Sequence, residues 1–193
     1  MIASYQTLKR INKTTAGLAP LSPFEERTRH NGFTYGLGPA GYDIRIAEEV
    51  LLNPGDFRLA SSMERFMMPN NLLGVVHDKS TWARLGLCVQ NTVIEPGWEG
   101  FLTLELTNHQ KGEIWMQPGT PICQVIFHIL DESTEYPYEG KYQNQKQGVQ
   151  EAILEPSGLL CPICRLKQFN TPSGMTCPKG HGGEVGIEPD KET

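Results

Sequence analysis

The chain contains no apolar run near the ~20 residues that a membrane-spanning helix requires. Its opening residues, MIASYQTLKR, lack the apolar core of a secretory signal. Both absences lead us to expect a cytoplasmic protein with no membrane contact. Positive charge is not in excess: 17 Lys and Arg stand against 22 Asp and Glu, a formal charge of -5. There is thus no general attraction for nucleic acid, and any phosphate binding must come from a local basic cluster. Cysteine is scarce and unevenly placed. Of the five, Cys88 and Cys123 sit in apolar strand-like runs and read as small buried hydrophobes. The other three crowd the C-terminal end, and an odd, clustered set argues against a secreted disulfide framework. Lys79-Ser80 is not a phosphate-binding P-loop, because Asp78 stands where the glycine before the lysine should be.

What remains is an ordinary globular balance, 38% hydrophobic and 20% charged over 193 residues. That length suits one domain whose core needs no staple, with a small appendage. A short helix is expected around Ser4 to Ile11, followed by a connector rich in Pro and Gly. From Tyr42 to about Leu130, short apolar runs are separated by turn signals at Asn53-Pro54-Gly55, Pro69-Asn70-Asn71, Pro96-Gly97 and Pro118-Gly119. Strands at that spacing predict an all-β sandwich or barrel. Phe101 to Asn108 alternates most cleanly, with Leu102, Leu104 and Leu106 on one face and Thr103, Glu105 and Thr107 on the other. Pro121 to Leu130 reads as a buried strand. Lys79 to Leu85 breaks the pattern as a short helix with Ser80 as its N-cap. Residues 131–150 lose periodicity and read as a tail or loop, and Glu155-Pro156-Ser157-Gly158 reads as a linker. The expected division is a β domain over 1–155 and a small module over 156–193.

In that module Cys161, Cys164, Cys177 and His181 follow the spacing C-x2-C-x12-C-x3-H. Tetrahedral zinc takes four such ligands, and pairs two to four residues apart can close on one ion. Gly158, Gly174, Gly180, Gly182 and Gly183 lie where tight knuckle turns need them. A segment this short has too little core to fold without a staple. The set leaves no open coordination position, so the expected zinc is structural. Contact of the module with nucleic acid or protein is conceivable, but no residue specifies it.

Several motifs occur in order: Lys79-Ser80-Thr81-Trp82-Ala83-Arg84-Leu85-Gly86-Leu87, then Glu95-Pro96-Gly97-Trp98-Glu99-Gly100, then Leu104-Glu105-Leu106-Thr107-Asn108. Gly41-Tyr42-Asp43-Ile44-Arg45 precedes them, and Pro137 to Gln145, PYEGKYQNQ, follows. Together they resemble the dCTP deaminases over about residues 20–150. The resemblance implies a distorted β-barrel or jelly roll of the dUTPase-like type with short helices. It further implies a homotrimer with active sites shared between neighbouring subunits, and hydrolysis of dCTP to dUTP and ammonia.

The chemistry has its own requirements. Deamination needs water at C4, a proton on N3 and a proton on the departing ammonia, and one placed carboxylate can shuttle them. Zinc-dependent deaminases carry His-x-Glu followed by Pro-Cys-x-x-Cys. This chain has no His-x-Glu, and its Cys-Pro-Ile-Cys lies in the appendage. A route with no catalytic zinc is therefore expected, and it is the route the family uses. From the bare sequence Glu105 would be a solvent-facing strand acid. The resemblance makes it the general acid/base, with its pKa raised by partial desolvation.

By the same resemblance, Ser80 and Arg84 approach the site and help place Glu105 and the water. Lys79, Ser80 and Thr81 contact phosphates, and Tyr138, Lys141 and Gln145 match triphosphate contacts on a segment that orders over the nucleotide. Glu95 is read as a contact near the sugar or a structural acid. Magnesium is expected with the triphosphate, held mainly by phosphates and water. Two alternatives stay open at this point. One is a bifunctional enzyme that continues to dUMP and pyrophosphate. The other is a nucleotide-binding regulatory protein acting through its zinc module.

Overall fold

The computed structural model describes residues 1–14, 20–30, 32–90 and 92–153, and towards the C-terminus 156–160, 167–171, 174–177 and 179. The chain divides into two compact units, Met1–Glu151 and Ala152–Thr193. Among the described residues no helix is long and apolar enough to cross a membrane.

The first unit begins with helix α1 (Tyr5–Thr14) and continues through β1 (Leu21–Ser22), β2 (Thr28–His30), β3 (Phe33–Gly38), β4 (Gly41–Arg45), β5 (Val50–Leu52), β6 (Phe57–Met67) and β7 (Leu72–Asp78). Helix α2 (Ser80–Ala83) leads to β8 (Leu87–Val89), β9 (Val93–Ile94), β10 (Glu99–Asn108), β11 (Ile114–Met116) and β12 (Pro121–Ile129). The protein is mainly β, as expected. A six-stranded sheet in the order β2-β3-β4-β12-β7-β9 and a four-stranded sheet in the order β1-β6-β10-β8 form the distorted barrel, with β11 and β5 paired beside them. The second unit contains an antiparallel sheet of β13 (Pro156–Leu160), β14 (Lys167–Thr171) and β15 (Gly174–Thr176).

Local sequence explains the elements that matter for the site. Ser4 caps α1, its Oγ accepting the Thr7 N–H at 3.4 Å, and Leu8 anchors the helix with no exposed surface. Strand β12 starts at a proline, where no ladder donor is needed, and runs between β4 and β7 as the apolar run predicts. Strand β10 alternates residue by residue between half-buried and buried over its whole length. Its inward side chains Leu102, Leu104 and Leu106 join Ile44, Ile46, Phe66, Ile122 and Phe127 in the core.

The two large sheets meet at a polar seam. Arg45 on β4 reaches Glu64 on β6, with Nε 2.7 Å from Oε1 and the Arg45 backbone N–H 2.9 Å from Oε2. Glu64 has no exposed surface. Burial pushes its carboxyl up, and the two Arg45 donors work against that push. Beside it, the Ser62 hydroxyl accepts the Leu102 N–H at 2.9 Å, where the β10–β6 register shifts between Phe101 and Thr103. No buried side-chain polar atom among the described residues lacks a partner.

Removing one member of a buried pair leaves the other charged and unpaired, which typically costs about 3–5 kcal/mol. Glu64→Ala is therefore expected to lower unfolding stability by about that amount in urea titration. A loss under ~1 kcal/mol would show that water reaches the seam.

Candidate functional site

Glu105 lies in the middle of β10, on the half-buried face it shares with Phe101, Thr103 and Thr107. Its backbone is fully engaged: it pairs with Leu59 on β6, and its carbonyl accepts the Gln90 N–H at 2.9 Å. No other side chain among the described residues donates to its carboxylate. Burial pushes the carboxyl above the ordinary glutamate value of 4.5, its own backbone N–H opposing in part. A glutamate with a raised pKa and vacant lone pairs can take a proton and give it back.

Two Thr–Gln hydrogen bonds flank it. Gln145 Nε2 donates to Thr103 Oγ1 at 2.5 Å, and Gln90 Nε2 donates to Thr107 Oγ1 at 2.9 Å. Gln145 belongs to the segment expected to be a loose tail. That segment forms no helix, yet it is fastened along β10 as a strap. Its carbonyl at Gln145 accepts the Phe101 N–H at 3.0 Å, and Asn144 N–H donates to the Glu99 carbonyl at 2.8 Å. The Gln143 carboxamide clamps the turn, accepting Glu99 N–H at 2.8 Å and donating to the Gly97 carbonyl at 2.8 Å. Tyr138 N–H donates to the Pro96 carbonyl at 2.9 Å. Two glycines permit the approach. Gly97 has a φ of +80, and an added Cβ would lie 2.5 Å from Pro137; at Gly100 one would lie 2.8 Å from the Gln145 nitrogen. Lys141 is exposed beside the Tyr142 ring.

The other predicted residues gather around α2. Trp82 fastens this turn, its indole N–H donating to the Pro121 carbonyl at 2.7 Å and its ring stacking on Phe33 at 5.3 Å. Ser80, Thr81 and Arg84 are left exposed, and Arg84 Nη1 lies 3.4 Å from Ser80 Oγ. The N-cap is Lys79 with no side-chain capping bond, not Ser80, which is the first helical residue. Lys79 itself is buried and pairs with Asp43 at 2.5 Å, while Gln124 Nε2 donates to the other Asp43 oxygen at 3.2 Å. This pair lines a pocket of about 260 Å³ with Arg27, Tyr35, Gly38 and Ser80.

Within one chain the site thus falls into two groups. Gln145 is brought to β10 with Glu105 and Tyr138 is tied to the turn just before it, whereas Lys79, Ser80, Thr81 and Arg84 cluster at α2. Among the described residues no hydrogen bond or ion pair joins Glu105 to the α2 group. Glu95 is exposed, its carbonyl accepting Trp98 N–H at 3.1 Å in the turn before β10. Asn108, in the Leu-Glu-x-x-Asn motif, is buried and structural: its amide donates to the carbonyls of Leu52 and Gly112, and its Oδ1 accepts the Gln110 N–H. Cys123 is buried as expected, but Cys88 is only partly so. Of the expected metal ligands, Cys161, Cys164 and His181 lie outside the described residues. Cys177 is buried, and its Sγ accepts the Lys179 N–H at 3.4 Å.

The sequence profile described as dCTP deaminase-like matches residues 40–130. A dCTP deaminase of Acidobacterium capsulatum is 33% identical, with 67% of this chain and 88% of that protein covered. Another, of Albidiferax ferrireducens, is 32% identical, with 75% and 95% covered. The chain belongs to the dCTP deaminase family. Among solved structures, the native EIAV dUTPase matches with a TM-score of 0.47 and 20% identity, over 63% of this chain and 96% of that one. The matched span runs from β4 to β12 and contains Glu105 and the α2 group, while Tyr138, Lys141 and Gln145 follow it. Asp43, Gln90, Gln143 and the face positions Thr103 and Thr107 had not been singled out as site residues. The two threonines carried a signal in the period-2 alternation of β10, and Asp43 and Gln143 lie within the quoted motifs, whereas Gln90 carried none.

Because folding raises the Glu105 pKa, its neutral form is favoured in the folded state. Its contribution to stability is complete below the ordinary value of 4.5 and is lost as pH rises through the folded value. Glu105→Gln, neutral at every pH, is expected to melt above the unaltered protein at neutral pH. The gain should shrink to nothing as the pH falls below 4.5 in thermal unfolding scans.

Proposed function

We propose that the chain hydrolyses dCTP to dUTP and ammonia, with Glu105 as general acid and base and no metal at the reacting carbon. One observation carries the reading. A half-buried carboxylate without a side-chain donor stands mid-strand, its pKa raised by burial, in a chain whose relatives bear the name dCTP deaminase. Glu105 takes a proton from water as the oxygen bonds to C4 and passes it to N3, and the new C4 hydroxyl supplies the next one. A further proton moves through Glu105 to the 4-amino group of the tetrahedral intermediate. The C4–N bond then breaks, and ammonia leaves with the bonding pair. The protons balance without any added reactant.

The α2 group supplies the other half of the site. Ser80 and Arg84 position the water and Glu105, while Lys79, Ser80, Thr81 and Arg84 face the phosphates, with Glu95 towards the sugar. Lys79 acts through its buried pairing with Asp43, which fixes the start of α2, more than as a freely extended cation. Tyr138, Lys141 and Gln145 complete triphosphate binding from the strap. These donors are hydroxyls and cations, which suit phosphate oxygens and not a divalent ion. Magnesium is accordingly carried by the nucleotide's own oxygens and water.

The site is shared between copies in a homotrimer. In support, Ser80, Thr81 and Arg84 are exposed in the single chain, as are Phe57, Leu85 and Val93 at 57%, 48% and 50%. Such apolar exposure suits a face that another copy covers. The two domains are 1–155 and 156–193, and the second holds a structural zinc through Cys161, Cys164, Cys177 and His181. The buried Cys177, whose Sγ accepts a nearby backbone N–H, is what a thiolate ligand requires.

Incubation with dCTP followed by chromatography should give dUTP and ammonia, and Glu105→Gln should reduce the rate by at least about 100-fold. Accumulation of dUMP and pyrophosphate would replace this reading with the bifunctional one, which the deaminase names of the relatives do not favour. For the second domain, metal analysis should find about one zinc per chain. Cys177→Ser should remove most of it while leaving dCTP deamination in place.

A further inference from the structure

Gln90 is the residue whose placement the reaction has not yet used. It follows the last residue of β8, and its backbone N–H is already committed to the Glu105 carbonyl at 2.9 Å. Its exposed side chain turns back over β10, where Nε2 donates to Thr107 Oγ1 at 2.9 Å. Thr107 and Glu105 share one face of the strand, two residues apart, a separation of about 7 Å. That is room for the edge of one six-membered ring. Because Thr107 receives the nitrogen end, the carboxamide oxygen is turned away from the strand. Among the described residues that oxygen accepts no hydrogen bond.

Resting on the deaminase reading above, we propose that Gln90 is a specificity-determining residue whose Oε1 accepts a hydrogen bond from the 4-amino group of the cytosine. The chemistry separates substrate from product. Cytosine presents an amino donor at C4; uracil presents a carbonyl acceptor there, which would confront the Gln90 oxygen and repel it. Gln90 favours the base that is to be deaminated and disfavours the base that results. Thr107 acts as the positioning residue, because its hydroxyl holds the Gln90 carboxamide over the strand beside Glu105. Gln145 on Thr103 closes the opposite side, so Glu105 stands between two oriented carboxamides.

The test is equilibrium binding of dCTP and dUTP to Glu105→Gln, which holds dCTP without consuming it, and to the same chain carrying Gln90→Ala. Adding Gln90→Ala should weaken dCTP about tenfold, the worth of one neutral hydrogen bond, and leave dUTP unweakened or tighter. Thr107→Val should lose discrimination in the same direction, since the carboxamide is then no longer held over the strand. In the otherwise unaltered protein, the KM for dCTP and the Ki for dUTP should diverge in the same way for Gln90→Ala alone. Equal changes for both nucleotides, or no change for either, overturn the proposal. Ammonia release by the unaltered protein is measured alongside. Its absence with nucleotide discrimination intact would sink the deaminase reading alone, whereas its presence with discrimination unmoved by Gln90→Ala would sink the role of Gln90 alone.

Discussion

The structure turns on the strict two-residue alternation of β10. Side chains of a strand point to opposite faces, so a slip of one residue would carry Glu105 into the core and Leu104 or Leu106 out of it. The inward leucines and Asn108 hold the register against β6 and the core. The outward threonines and Glu105 therefore cannot drift. The opposite edge is shared by two segments distant in sequence, the strap at Phe101 and Gln90 at Glu105. Glu105 is thus held by backbone bonds on both edges of its strand, while its side chain stays uncommitted.

Much of this was legible beforehand because it is local. The Leu–Thr–Leu–Glu alternation, the Pro–Gly turns and the apolar run of β12 each follow from short-range pattern, and the structure reproduces them. Ser80 misled as an N-cap because residue type alone cannot say whether a hydroxyl points back to the helix or outward. The resemblance gives Lys79 a phosphate contact and says nothing of its buried ion pair. Its partner Asp43 lies 36 positions away, and no local rule reports such a pair. The strap was unreadable for a similar reason. Its glutamines and tyrosines have the composition of a solvated tail, and what orders them is the Gly97–Gly100 backbone, whose missing side chains admit a second chain segment at contact distance.

Family resemblance supplied what pattern could not, namely which strand acid and which short helix to propose for the site. It could not supply the face-level detail. The Thr103–Gln145 and Thr107–Gln90 bonds appear only once the register of β10 and the path of the strap are known. Three of the four cysteine and histidine positions of the second domain lie outside the described residues, so its reading still rests on ligand spacing and on Cys177.

Strand β4 carries Asp43 and Arg45, two residues apart, and each is the partner in a buried ion pair. One pair fastens the sheets together; the other sets the root of α2. The buried Cys123 thiol feels both carboxylates, Glu64 and Asp43, and is pushed up by burial and then by them. The interior therefore holds two anions and two cations in balance about a single strand. Closure of the barrel and the charge balance at the root of α2 are inherited together. Replacing one member of either pair by a neutral residue strands the charge of the other, so divergence among related chains should pass through matched changes within each pair.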